Sequence, residues 1–246
     1  YFFHGAQFFT AKSKSFKKVI EQGIKNNFIK EFGNFHPPRF RGHKTMREFL
    51  TNLTVNLNVQ QNKKIVGLKP SQKGISVLKE NIKTWQNFDA VISTIPSPQN
   101  FSLMEKFPEL QKTLDKSSYD SCIALMFSFN EIPKNIPIYF DFNKKRGILS
   151  WMACGSNLNV WTAHTKGPYA NKNLNQNKDQ LKKEILLAIQ KVFSKFQNSL
   201  DINVHSLHIW KYARVKKISN GAQIDPVFPI APVSYTHLTL PTKASV

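Results

Sequence analysis

Phe88-Asp-Ala-Val-Ile-Ser-Thr-Ile-Pro-Ser-Pro-Gln99 is the stretch on which the fold reading turns. Its Asp89–Ile95 portion is a continuous, mostly apolar run of strand length, closed by Pro96-Ser-Pro98. Such a run predicts a strand buried on both faces, as in a parallel sheet flanked by helices. Upstream the period changes. Leu57–Gln60, Lys64–Leu68, Gly74–Leu78 and Ile82–Trp85 run with a period near two between polar turns, the pattern of a meander of short strands. Before them, Met46, Phe49, Leu50 and Leu53 share one face of a short helix. Phe16, Val19, Ile20, Gly23, Ile24 and Phe28 mark another, with Ser13 or Ser15 to cap its start and Gly33 to end it.

Downstream, a weaker helical pattern covers Ser102–Leu114. Cys122–Phe129, Ile138–Phe142, Gly147–Met152, Val160–His164 and Val204–Tyr212 have strand character. A clear helix over Asp179–Phe196 is expected to bury Leu181, Ile185, Ala188, Ile189, Val192 and Phe196, with Asn171–Lys178 as the loop ahead of it. The mixture is α/β passing into α+β, in two domains.

Composition bounds the rest. With 246 residues, 41% of them apolar, and 20 Phe, the chain can bury a substantial core, which excludes disorder for its body. No run of about 18 apolar residues occurs, so no membrane span is expected. The formal charge of +20 raises a nucleic-acid reading, but 30 of the 35 basic residues are Lys and only five are Arg, the better fork for bases and phosphates. Lysine on solvated surfaces, favoured by A/T-rich codons, is the plainer account, and nucleic acid is not an expected partner. A diffuse basic field still attracts anionic substrates or cofactor phosphates. Cys122 and Cys154 lie in apolar contexts without CxxC spacing, which suits buried thiols in a reducing cytoplasm. His205 and His208 stand three apart in a strand-like segment, which puts them on opposite faces, and no metal site is expected.

No GxSxG, HExxH, P-loop or GxGxxG occurs in the chain, so spacing alone names no chemistry. Several segments in order do more. Tyr1-Phe-Phe-His-Gly-Ala-Gln-Phe-Phe-Thr10 is similar to "FDHGAQYFT", and Phe88–Gln99 to "FDxVVLAxPxPQ". Gly147–Asn157, Val160–His164 and His208–Ala213 are similar to "LSWIARNS", "WVLHA" and "HRWRYA". Together they resemble the renalase-like branch of the flavin-dependent amine oxidases over about residues 1–220.

That resemblance implies a partial FAD-binding, Rossmann-like domain interleaved with a mixed-sheet substrate domain. Residues 1–41 would be the leading motif and helix of the substrate domain, 42–98 the middle of the FAD domain, 99–222 the rest of the substrate domain, and 223–246 a truncated tail. It implies FAD as cofactor in the parent protein, a small-molecule substrate and hydride transfer to the flavin. Gly5, Ala6, Gln7, Ile65, Thr94 and Pro96 would contact the cofactor. Trp151, Trp161, Trp210 and Tyr212 are candidates for walling the substrate side or for an aromatic core, and His164 for a polar role in catalysis or for a satisfied structural histidine. Lys211 and Arg214 would hold an anionic group. Three positions depart from the pattern: Phe3 for Asp, Cys154 for Arg and Lys211 for Arg. Val233–Thr242 resembles a translated sequencing adapter, so the chain reads as a fragment unable to hold FAD well or act alone. The competing readings are a cofactor-free relative and a basic module binding nucleic acid or another anionic surface.

Overall fold

The computed structural model describes residues 4–114, 117–155, 157–197, 200–217 and 224–232. In chain order it begins with α1 (Lys14–Lys25), β1 (Ile29–Glu31), β2 (Phe40–Gly42) and α2 (Met46–Leu53). There follow β3 (Ile65–Ser71), β4 (Gly74–Lys79), β5 (Gln86–Phe88), β6 (Val91–Ser93), α3 (Ser97–Leu103) and α4 (Pro108–Leu114). Next come β7 (Ser118–Phe129), β8 (Tyr139–Asp141), β9 (Leu149–Cys154) and β10 (Val160–Thr165). The chain then forms α5 (Gly167–Lys172), α6 (Lys178–Phe193), β11 (Ile202–Lys217) and β12 (Ile230–Pro232). This mixed α/β architecture agrees with the sequence reading. Among the described residues no helix is long and apolar enough to cross a membrane.

Two compact units emerge. The first holds the described parts of 1–56 and 120–214, the second those of 57–119 and 215–240. The first is built on a sheet of order β11-β7-β10-β9-β8. Its β7, β10, β9 and β8 pair antiparallel, with Ala163 opposite Leu125 and Met152, and His164 opposite Ala124 and Trp151. Alternation therefore sends Ile123, Leu125, Phe127, Trp161 and Phe140 to one face. There α6 lays down a stripe at every fourth residue, Leu181, Ile185, Ile189 and Phe193, all fully buried. Phe193 meets Phe129 edge-on at 4.9 Å and Trp161 at 5.5 Å. The opposite face carries Ala124, Met126, Trp151, Ala153, Thr162, His164 and Tyr139, and it is this face that holds the candidate site.

The second unit pairs β3-β4-β5 antiparallel and β6 with β12 in parallel. Leu68, Ile75, Met104, Phe107, Leu110 and Ile230 form its core.

Several local expectations change. The first helix ends at Lys25, because Asn27 takes a left-handed conformation (φ 61°) and turns the chain into β1. Gly33 (φ 66°) makes the β1–β2 turn instead. Leu57–Gln60 and Ile82–Trp85 form no strand, and the third meander strand starts at Gln86. The Ser102–Leu114 pattern divides into α3 and α4, with Pro98 in the first turn of α3 and Pro108 opening α4. The Asp89–Ile95 run is not buried on both faces: β6 has β12 as its one neighbour among the described residues, and Ile92 is 69% exposed. Finally α6 stops at Phe193, which takes the core position expected for Phe196; Phe196 is 39% exposed.

Phe193→Ala should accordingly cost about 3–5 kcal/mol in a urea titration, the range for emptying a buried aromatic site. Phe196→Ala should cost well under half as much, and equal costs would place the end of the α6 core stripe wrongly.

Candidate functional site

The segment His4-Gly5-Ala6-Gln7 is an irregular loop leading to α1. Its long-range anchors come from the sheet. The His4 carbonyl oxygen accepts two hydrogen bonds, from His164 Nε2 at 2.9 Å and from Trp210 Nε1 at 3.1 Å. A carbonyl can only accept, so His164 carries its proton on Nε2. The His4 ring stacks on His208 at 4.4 Å, and Trp210 stands edge-on to His208 at 4.7 Å. Gln7 is buried, and its Nε2 donates to the Gly5 carbonyl at 3.0 Å, which braces the turn from inside. The amides of Gly5 and Ala6 donate to no other described residue, and Ala6 is exposed.

Phe8 pins the other end of the loop. Its ring stacks on Phe32 at 5.2 Å and meets Tyr139 edge-on at 5.3 Å. The Arg39 guanidinium lies over the rings of Phe8, Phe35 and Tyr139 at 4.4, 4.1 and 4.3 Å. Burial, then the Asp141 charge, raises the Tyr139 phenol above its ordinary value, while Arg39 pulls it back.

His164, a sequence candidate for chemistry, is a positioning residue here. It sits on the inner face of β10 with the Trp151 ring 4.0 Å away. Burial is the main cause that pushes its pKa down to about 3; the His4 carbonyl opposes the shift, and Arg214 and His4 add to it. The imidazole stays neutral, and its one N–H is committed to the loop. Trp151 backs it and is only 8% exposed. Trp161 is fully buried in the α6-side aromatic core, with its indole N–H on the Leu158 carbonyl, so it walls no cleft. Trp210 does flank the loop: a Cβ placed on Gly5 would lie 4.0 Å from its ring. Tyr212 lies two residues along β11, its ring 5.5 Å from Lys211 Nζ. Arg214 Nη2 donates to Ser150 Oγ at 2.8 Å.

The other expected cofactor residues lie in the second unit. Ile65 opens β3 opposite Lys79, and Thr94 is exposed just after β6. Pro96 caps α3, and the turn is tied down by the Ser97 amide, which donates to the Tyr119 hydroxyl (3.0 Å), and by the Ser93 hydroxyl, which donates to Oδ1 of buried Asn100 (2.7 Å). Phe3 lies outside the described residues.

Two residues carried no expectation of this kind. Arg41, the middle residue of β2, donates through Nη1 to the Gly155 carbonyl, and its charge acts on the nearby Cys154 thiol. Cys154 stands where the resembled motif has Arg, so a guanidinium reaches that place from another strand. Burial pushes the Cys154 thiol up, partly offset by Arg41. Gly42 follows directly, and a Cβ there would lie 1.8 Å from the Thr45 carbonyl, so only glycine fits this turn into α2.

Residues 4–221 match the family described as flavin containing amine oxidoreductase, and the chain belongs to that family. Among solved structures it is similar to a candidate protoporphyrinogen oxidase from Exiguobacterium sp. 255-15. The TM-score is 0.56 at 12% identity, over 77% of this chain and 44% of that one. It is also similar to an oxidoreductase from Methanosarcina mazei, with TM-score 0.55 at 12% identity over 80% of this chain and 50% of that one. At this identity the likeness is one of fold, and the chain spans about half the length of these proteins.

The His164 environment fixes a pH dependence. The unfolded imidazole titrates near 6.5 and the folded one near 3. Between these values the unfolded chain binds the extra proton, so stability falls as pH drops through that window. The slope attributable to this residue approaches about 1.4 kcal/mol per pH unit, the linkage of one proton. In urea titrations across the window, His164→Gln, which keeps an N–H donor, should lose this component of the slope. An unchanged slope would mean that His164 is not held neutral.

Proposed function

We propose that the whole protein is an FAD-dependent oxidoreductase of the renalase-like branch, and that Gly5 and Ala6 form part of its flavin seat. The observation that carries this reading is the twice-anchored His4 carbonyl. It fixes a turn of small residues whose two amides are uncommitted among the described residues, beside the indole of Trp210. The donor set fits the group: backbone N–H groups match the carbonyl and nitrogen acceptors on a flavin ring edge, and glycine leaves room for close approach.

When bound, the flavin supplies the redox chemistry, taking a hydride from a small reduced substrate and returning electrons to dioxygen or another acceptor. The chain's residues bind, orient and exclude water. His164 and Trp210 hold the loop, Gln7 stiffens it, and His4, His208 and Trp210 form an aromatic wall at its edge. Because His164 stays neutral, it moves no proton near neutral pH.

The whole protein should purify with, or be reconstituted to, visible flavin absorbance. Gly5→Ala should fold like the parent, since its new Cβ makes an ordinary 4.0 Å contact with Trp210. Its FAD dissociation constant should rise about tenfold, or ~1.4 kcal/mol. A colourless protein that takes up no FAD would leave a cofactor-free relative as the better reading. An unaffected Gly5→Ala would move the seat elsewhere.

A further inference from the structure

Among the described residues, Arg41 has no carboxylate within ion-pair range. It donates to a backbone carbonyl (Gly155), lies over the face of Phe32 at 5.2 Å, and shares a hollow with the Cys154 thiol. None carries a full negative charge, because burial holds the Cys154 thiol protonated. Lys30 stands near enough to feel the Arg41 charge, which lowers its pKa, while Glu48 acts in the opposite sense. A half-buried cation without a counter-ion has lost hydration and gained little in return.

Space lies beside it. Arg41 lines a hollow of about 160 Å³ with Phe32, Ile138, Leu158, Cys154, Asn157 and Glu31 among its walls. At roughly 30 Å³ of liquid volume per water, that equals about five water molecules, or a body of a few carbons. Phe32, Ile138 and Leu158 make much of the wall apolar. Asn157 Oδ1 is already taken by the Asn159 and Val160 amides. Glu31 is exposed at the rim and makes no ion pair with Arg41, so a second negative charge on a ligand would meet a carboxylate.

We propose that Arg41 anchors a binding site for a small monocarboxylate with a short apolar tail. The guanidinium takes the carboxylate through its remaining N–H donors, and the tail packs against Phe32, Ile138 and Leu158. The site is independent of the flavin reading, since none of the residues that line it is one that anchors the His4 carbonyl.

The test uses the chain without flavin, by calorimetric titration and thermal shift at constant ionic strength. The probes are butyrate, its neutral isostere butyramide, succinate and chloride. Butyrate should raise the melting temperature and bind at least about tenfold more tightly than butyramide or succinate, the scale of a charge-assisted hydrogen bond. Arg41→Met should abolish the preference. Leu158→Trp should fill the hollow and lose butyrate while keeping the circular dichroism of the parent, which covers the case in which Arg41→Met does not fold. Equal binding of butyramide, an equal shift with chloride, or retention of butyrate by either folded variant would overturn the proposal. Such a failure leaves the flavin reading untouched, because no flavin enters the measurement.

Discussion

Two ring N–H groups, His164 Nε2 and Trp210 Nε1, converge on one acceptor, the carbonyl oxygen of His4. They come from β10 and β11, far apart in sequence, and they reach a loop that has no regular structure of its own. A buried imidazole left without that acceptor would hold an unsatisfied donor, a cost of about 1–3 kcal/mol. The loop and the sheet therefore specify each other. The loop satisfies the sheet's buried donor, and the sheet gives the loop a single conformation.

That arrangement depends on a sheet that is covered differently on its two faces. The α6 side is filled with large aromatics, Phe127, Phe129, Trp161 and Phe193, and stabilises the unit. The other side places smaller residues, Ala124, Ala153 and Thr162, around His164 and Trp151, and the loop and the β1–β2 hairpin cover it. Positive charge on this side is managed by rings and carbonyls rather than by carboxylates: Arg39 lies among three aromatic faces, and Arg41 on Gly155 and Phe32.

Elements with their own strong signal were legible in the sequence. The long apolar run of β7 and the four-residue stripe of α6 need no knowledge of partners, and the capping serine ahead of α1 is local chemistry. What failed depended on partners. The burial of Val91–Ser93 could not be read from its apolar run, because burial depends on what packs against each face of the sheet. Gly33 and Asn27 both accept a left-handed backbone, and only the pairing of β1 with β2 decides which ends the helix. Within the site, the Gly5–Gln7 turn was legible as small residues beside a polar one. A satisfied structural histidine was one of the two readings of His164, but its partner was not legible, since the acceptor lies 160 residues away. Arg41 left no pattern, because its neighbours Cys154 and Gly155 lie at and just past the end of β9, over a hundred residues away.

The central claim is that the anchored loop presents the Gly5 and Ala6 amides to a flavin. The most direct measurement is a proton–nitrogen correlation spectrum of the isotope-labelled protein during titration with FAD. The account predicts that the Gly5 and Ala6 amide signals move with flavin concentration, while those of Gly42 and Gly155 beside Arg41 stay in place. Saturable flavin binding that leaves the Gly5 and Ala6 signals unmoved would contradict it.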